Sequence, residues 1–296
     1  MENKAIQSHP YISVITINFN DCIGLERTIR SVISQTYSDF EYIIIDGGST
    51  DGSKEVIEKY KNNFSYWVSE PDNGIYHAMN KGVRHAKGEY CLFMNAGDFL
   101  CNTHTLEIAA EELKKAKADY CTGTLILNNK NNIAGVIFPP KDANLLLLKR
   151  SLAHQATFTR RSWLEKIPYF EDTKIVGDWQ QITSSIAINK ASYQPIKCPI
   201  AIFDMSGIST INNSLRIDEA NKFRESFVPT WLLQELATII SPDIHLFTIS
   251  KKKYPILFLI IKYIKKLRTQ PAKYWYKIKY NHKLKESLLS CEARKD

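Results

Sequence analysis

The sequence predicts an α/β fold, a mostly parallel sheet flanked by helices, and three observations carry that prediction. Short runs of strand-forming residues alternate with amphipathic stretches from Tyr11 to Leu127. The runs are Ile-, Val- and Tyr-rich, as buried strands are. Each of the first four ends in a polar turn.

In order, Tyr11–Asn18 is a strand on Ile12, Val14, Ile15 and Ile17, followed by polar Asn18 and Asn20. Leu25, Ile29, Val32 and Ile33 then recur at helical spacing. Glu41–Asp46 is a second strand, closed by the turn Asp46-Gly-Gly-Ser-Thr-Asp-Gly52, and Val56, Ile57 and Tyr60 mark the next helix. Phe64–Ser69 is a shorter strand, ended by Glu70-Pro-Asp-Asn-Gly74. Ile75, Met79, Val83 and Ala86 line one face of a third helix. Glu89–Asn95 is the fourth strand, ended by Ala96-Gly97-Asp98. A helix over Thr103–Lys117 and a strand over Tyr120–Leu127 continue the sheet, with a hairpin turn at Asn128–Asn132. Beyond it, Pro139, Pro140, Pro168, Pro195 and Pro199 break the chain into short pieces, and only Asp178–Asn189 reads as a sustained helix. These features divide the chain into residues 1–132, 133–250 and 251–296.

With 44% hydrophobic and 24% charged residues, the chain is globular rather than disordered. No apolar run reaches the length of a membrane span, and the N-terminus lacks the apolar core of a signal peptide. Six cysteines without a CxxC pair fit reduced thiols better than disulfides or a zinc site. Of 39 Lys and Arg, twelve fall between Lys251 and Lys285, where there is no acid, leaving 27 basic against 31 acidic residues elsewhere. A mildly acidic body with a basic tail is not the charge pattern of a nucleic-acid-binding domain.

In an open parallel sheet, ligands bind at the C-terminal strand ends. Those ends carry Asn18 and Asn20, Asp46, Asp72 in the loop, then Asn95 and Asp98. There is no G-x-G-x-x-G after the first strand and no P-loop motif, so dinucleotide and P-loop sites are disfavoured. Amides and carboxylates suit a nucleotide held through base and ribose, with a hard divalent cation on its phosphates. Asn and Asp also serve as turn formers and helix caps, but the same character at four successive strand ends argues for a site.

Five segments, Thr16-Ile-Asn-Phe-Asn20, Ile45-Asp-Gly-Gly-Ser-Thr-Asp-Gly52, Ser69-Glu-Pro-Asp-Asn-Gly-Ile-Tyr76, Ala78-Met-Asn-Lys-Gly82 and Asn95-Ala-Gly-Asp98, resemble glycosyltransferase family 2. The likeness continues through His154-Gln155, Asp178 and Met205-Ser-Gly-Ile-Ser-Thr210, covering about residues 10–215. It is strongest to bacterial surface-polysaccharide transferases such as colanic acid fucosyltransferases. The resemblance implies a GT-A fold with a Rossmann-like sheet, a UDP- or GDP-sugar donor, Mn²⁺ or Mg²⁺, and inversion at the anomeric carbon. It places Asp46 on the nucleoside, with Thr16, Asn18 and Asp72 near base and ribose; Asn20 and Lys81 join this donor set, Lys81 toward phosphate. Asp98 is the metal carboxylate, and Asn95 and Gly97 stand where some relatives have acids. His77 stands where relatives often have Asp and reads as a helix-surface residue. The resemblance also puts an acid at Asp178, the catalytic base, with Gly177 in place of a preceding acid. Trp179 is offered as a sugar-stacking ring, and His154 and Gln155 as contacts to donor phosphate or acceptor.

The implied activity is an inverting transfer to a lipid-linked glycan in the assembly of lipopolysaccharide, O-antigen or capsule, on the inner face of the bacterial plasma membrane. Residues 251–285 supply a peripheral membrane contact: Tyr254–Ile261 is apolar but short, basic residues flank it, and Tyr274, Trp275, Tyr276 and Tyr280 interleave with lysines. Two alternatives stand beside this reading. A sugar-nucleotide nucleotidyltransferase would need a Gly-rich loop where Asn18-Phe-Asn-Asp21 stands. A non-catalytic adaptor would act through the basic tail alone.

Overall fold

A computed structural model describes residues 9–129, 132–147, 150–205 and 213–227. In chain order the elements are β1 (Ile12–Asn18), α1 (Cys22–Ile33), β2 (Phe40–Asp46), α2 (Ser53–Tyr60), β3 (Tyr66–Ser69), α3 (Ile75–His85), β4 (Tyr90–Asn95), β5 (Phe99–Leu100), α4 (Thr105–Ala116), β6 (Tyr120–Asn129), β7 (Asn132–Ile137), α5 (Ala143–Leu147), β8 (Thr157–Arg160), α6 (Arg161–Lys166), α7 (Gly177–Thr183), β9 (Tyr193–Asp204) and α8 (Asn213–Phe227). One compact unit ends at Phe223.

The strands form a single sheet in the order β3-β2-β1-β4-β8-β6-β9-β5, with β7 paired to β6. β3, β2, β1 and β4 are parallel, as expected. Beyond β4 the sheet is mixed. β6 continues the sheet as expected, with β8 running antiparallel between it and β4.

Period-two alternation explains the unbroken apolar runs. Ile12, Val14, Tyr42, Ile44, Leu92 and Met94 face a core shared with α1, α2 and α4. The intervening Ile15, Ile17, Ile43, Ile45, Cys91 and Phe93 face a second core under α3. Asp21 starts α1 by accepting from the Gly24 N–H at 2.9 Å. α3 lies close on β1 because residue 82 is Gly: a Cβ there would stand 2.5 Å from Ile15 Cγ2.

Among the described residues no helix is long and apolar enough to cross a membrane. The basic tail and the Ser206–Thr210 part of the last motif lie outside the described residues.

Candidate active site

The parallel register aligns the first strand ends: Asn18 pairs with Asp46, and Asp46 with Ser69. Side chains follow that alignment. Asn18 Nδ2 donates to Asp46 Oδ1 at 2.6 Å, and Ser69 Oγ donates to Asp46 Oδ2 at 2.6 Å. Ser49 adds its backbone N–H at 3.0 Å and its hydroxyl at 2.5 Å. Asp46 is therefore fully buried with two donors on each oxygen, and its visible work is to tie the β2 turn to β1 and β3. Asn20, at φ 52°, accepts from the Thr50 N–H at 2.9 Å and locks the same turn. Asp72 folds back on Gly74 N–H at 2.7 Å, and a Cβ on Gly47 would lie 2.7 Å from its other oxygen. Phe19, 63% exposed, borders that contact. Sequence reasoning missed its ring, though it sits inside a quoted motif.

Three expected donor or acceptor contacts point elsewhere. Thr16 faces the core, where its hydroxyl meets the Tyr42 hydroxyl at 3.0 Å. Lys81 is buried along α3 and pairs with Glu70 at 2.7 Å. Trp179 is 3% exposed, donates to Leu147 O at 2.7 Å and packs edge-on against Phe223, so its ring is core rather than a sugar platform. His77 sits at the start of α3, its Nδ1 accepting from the Asn73 N–H at 3.4 Å.

The turn after β4 is pinned from α1. Thr28 Oγ1 donates to Asp98 O at 2.6 Å and accepts from Gly97 N–H at 3.1 Å. Arg27 donates to Gly97 O at 2.7 Å and pairs with Asp204 at the end of β9. Gly97 is required by its φ of 96°. Asp98 Oδ1 accepts from the Asp204 N–H at 3.1 Å. Burial raises the Asp98 carboxyl to about 7, opposed by that N–H, by His154 and by Gln155 alongside. Arg27 and Asp204 carried no sequence signal beyond Asp204's place just before the last motif.

The opposite wall is built by the antiparallel strand. β8 pairs Thr159 with Cys91, and the short turn His154–Ala156 that leads into β8 lies against β4. His154 Nε2 lies 3.2 Å from Asn95 Nδ2, and its Nδ1 lies 3.2 Å from Asp178 Oδ2. Asp178 begins α7 and also accepts its neighbour Trp179's N–H at 2.7 Å. Its side chain is 15% exposed, and that of His154 18%. Tyr76, from the motif ending β3, donates to Ile175 O at 2.6 Å, and a Cβ on Gly177 would sit 2.7 Å from its ring. Thus Asn95, Asp98, His154, Gln155 and Asp178 converge, while Asn18, Asn20, Asp46 and Asp72 organise the neighbouring strand ends.

Two buried oxygens in the β4 turn, Asn95 Oδ1 and Asp98 Oδ2, make no hydrogen bond of good geometry. Unpaired buried acceptors of this kind fit a hard cation. Among the described residues no three His, Cys, Asp or Glu side chains cluster as a full ligand shell.

The fold matches that of solved GT-A structures. S. aureus TarS 1–349 in complex with UDP-GlcNAc aligns with a TM-score of 0.56 at 19% identity, over 68% of this chain and 61% of that one. A mannosyltransferase from Pyrobaculum calidifontis in complex with GDP-Man and Mn²⁺ aligns with a TM-score of 0.53 at 15% identity, over 98% and 89%. The chain belongs to glycosyl transferase family 2, whose family model matches residues 13–167. An uncharacterized glycosyltransferase of Mycobacterium tuberculosis is 34% identical over 208 residues, 69% of this chain and 78% of that protein. A cholesterol galactosyltransferase of Borreliella burgdorferi is 38% identical over 114 residues, 38% of this chain and 31% of that protein.

Proposed function

We propose that this protein is an inverting glycosyltransferase that moves a sugar from a nucleotide sugar to a hydroxyl of a lipid-linked glycan in bacterial surface polysaccharide assembly. One observation carries the reading: Asp178, a sheltered carboxylate held by His154, stands across from the Asn95–Asp98 turn with its two unpaired oxygens. Inversion needs a single displacement. Asp178 takes the acceptor hydroxyl's proton as that oxygen attacks the anomeric carbon, and the nucleoside diphosphate departs from the other face. Asp98, with Asn95, would hold Mn²⁺ or Mg²⁺, which as a Lewis acid stabilises the departing diphosphate. The strand-end loops around Asp46 and Asp72 shape the nucleoside side, with Phe19 offering a ring to the base.

On the side proposed for the acceptor, a small hollow of about 90 Å³ is lined by Thr122, Phe138, Arg150 and Leu152 and ends at Ala153, next to His154. Its mostly apolar wall, with Arg150 at the edge, would suit the approach of an acceptor with an apolar part. The cholesterol acceptor named for the Borreliella relative is in keeping with this. The basic tail would bring the enzyme to the cytoplasmic membrane face, where such acceptors lie.

The test uses purified protein, a panel of UDP- and GDP-sugars, and Mn²⁺ or Mg²⁺. Donor-dependent release of nucleoside diphosphate supports the reading. Release of pyrophosphate from a nucleoside triphosphate and sugar phosphate would make the protein a nucleotidyltransferase instead.

A further inference from the structure

Glu219 stands on α8, outside every motif of the sequence. Its carboxylate accepts from three successive backbone N–H groups: Lys174 at 2.8 Å, Ile175 at 2.9 Å and Val176 at 3.2 Å. Consecutive amides turned toward one point form an anion-binding concavity, and here the chain supplies its own anion. Opposite, Tyr76 donates to Ile175 O at 2.6 Å, so the segment is held from two sides. The same segment reaches the donor loop, since a Cβ on Gly74 would lie 3.9 Å from Lys174 Nζ. Two residues beyond Val176, the chain arrives at Asp178.

We propose that Glu219 is a positioning residue for Asp178. By gathering the 174–176 amides it fixes the conformation from which α7 begins, and so sets where the base stands relative to the sugar. The inference rests on the reading of Asp178 as the base. A charge-assisted contact to three amides is strong enough for this role. A displacement of about 1 Å at a reacting group costs on the order of 10²-fold in rate.

The experiment compares Glu219→Ala, Glu219→Gln and Asp178→Asn in the full-length protein, measuring kcat, donor KM and thermal midpoint. In Glu219→Ala, kcat is expected to fall about ten- to a hundredfold while donor KM stays within about twofold. Glu219→Gln, which keeps one acceptor oxygen, should recover a large part of kcat. An inactive Asp178→Asn beside a fully active Glu219→Ala overturns this inference and leaves the base intact. So does a joint loss of kcat and donor binding with Gln no better than Ala, which marks Glu219 as a fold clamp only. An active Asp178→Asn removes the base reading, and this inference with it.

Discussion

His154 Nδ1 stands 3.2 Å from Asp178 Oδ2 while its Nε2 stands 3.2 Å from Asn95 Nδ2. An amide nitrogen only donates, so Nε2 accepts and the ring proton belongs on Nδ1, aimed at the carboxylate. One imidazole thus spans from the base to the turn that carries Asp98.

Asp178→Asn keeps the shape and the Trp179 contact but loses basicity. Transfer should fall by about 10²–10⁴ with donor affinity nearly unchanged. His154→Ala leaves the Asp178 side chain in place but untethered, so its loss should be smaller. Single-turnover release of nucleoside diphosphate separates the two, and equal losses would make the pair a single unit.

Asp98→Ala should lose donor binding and metal dependence together, and EDTA should inactivate the wild type. Titration calorimetry with the donor, with and without Mn²⁺, checks both. Full activity in EDTA would assign the diphosphate to a cationic side chain.

Glu26 binds Lys59 at 2.9 Å, Arg30 at 3.0 Å and the Tyr60 hydroxyl at 2.8 Å, tying α1 to α2. Lys59 foremost, then Arg30 and Tyr60, lower its carboxyl from the ordinary 4.5 to about 2. The folded state releases this proton more readily than the unfolded chain does. Its stabilisation is therefore complete above pH 4.5 and lost as pH falls toward about 2. Solvent screening limits it to about 1 kcal/mol. Denaturant titrations of Glu26→Gln against wild type should converge at the acid end and diverge by that amount at pH 7.

Gly82→Ala places a methyl 2.5 Å from Ile15 Cγ2 on the packed face between α3 and β1. Overpacking there should cost about 1–3 kcal/mol, visible as a lower denaturation midpoint. An unchanged midpoint would mean that α3 slides freely on the sheet.

The tail over 251–285 should bind anionic vesicles, at about 1 kcal/mol per basic residue near the surface. Cosedimentation of the whole chain against one ending at Ser250 reads this directly. Equal binding by both would place any membrane affinity in the body of the enzyme.

How much of this was legible depends on where the physics was local. β1 to β4 and their helices were readable because each strand is a closed apolar run with a polar end. The pairing of Asn18 with Asp46 follows once those strands are parallel. β9 was hidden by Pro195 and Pro199, which ordinarily break strands. Here they sit opposite Thr122 and Thr124, where the register against β6 shifts and the ladder tolerates a missing donor. Trp179 was misjudged through adjacency. Neighbours on a helix point about 100° apart, so a helix that turns Asp178 to the crevice turns Trp179 inward. Glu219 left no trace, because its partners are backbone amides and any sequence supplies those.

The reversed direction of β8 has a consequence for how such an enzyme diversifies. His154 lies in the short turn that leads into β8, and β8 is anchored between β4 and β6. The outer end of the β6–β7 hairpin, beyond the Tyr120–Thr122 ladder with β8, can therefore lengthen or shorten without retuning the histidine. On the proposed function, acceptor preference would then be tuned at the hairpin tip, at a distance from the carboxylate that does the chemistry.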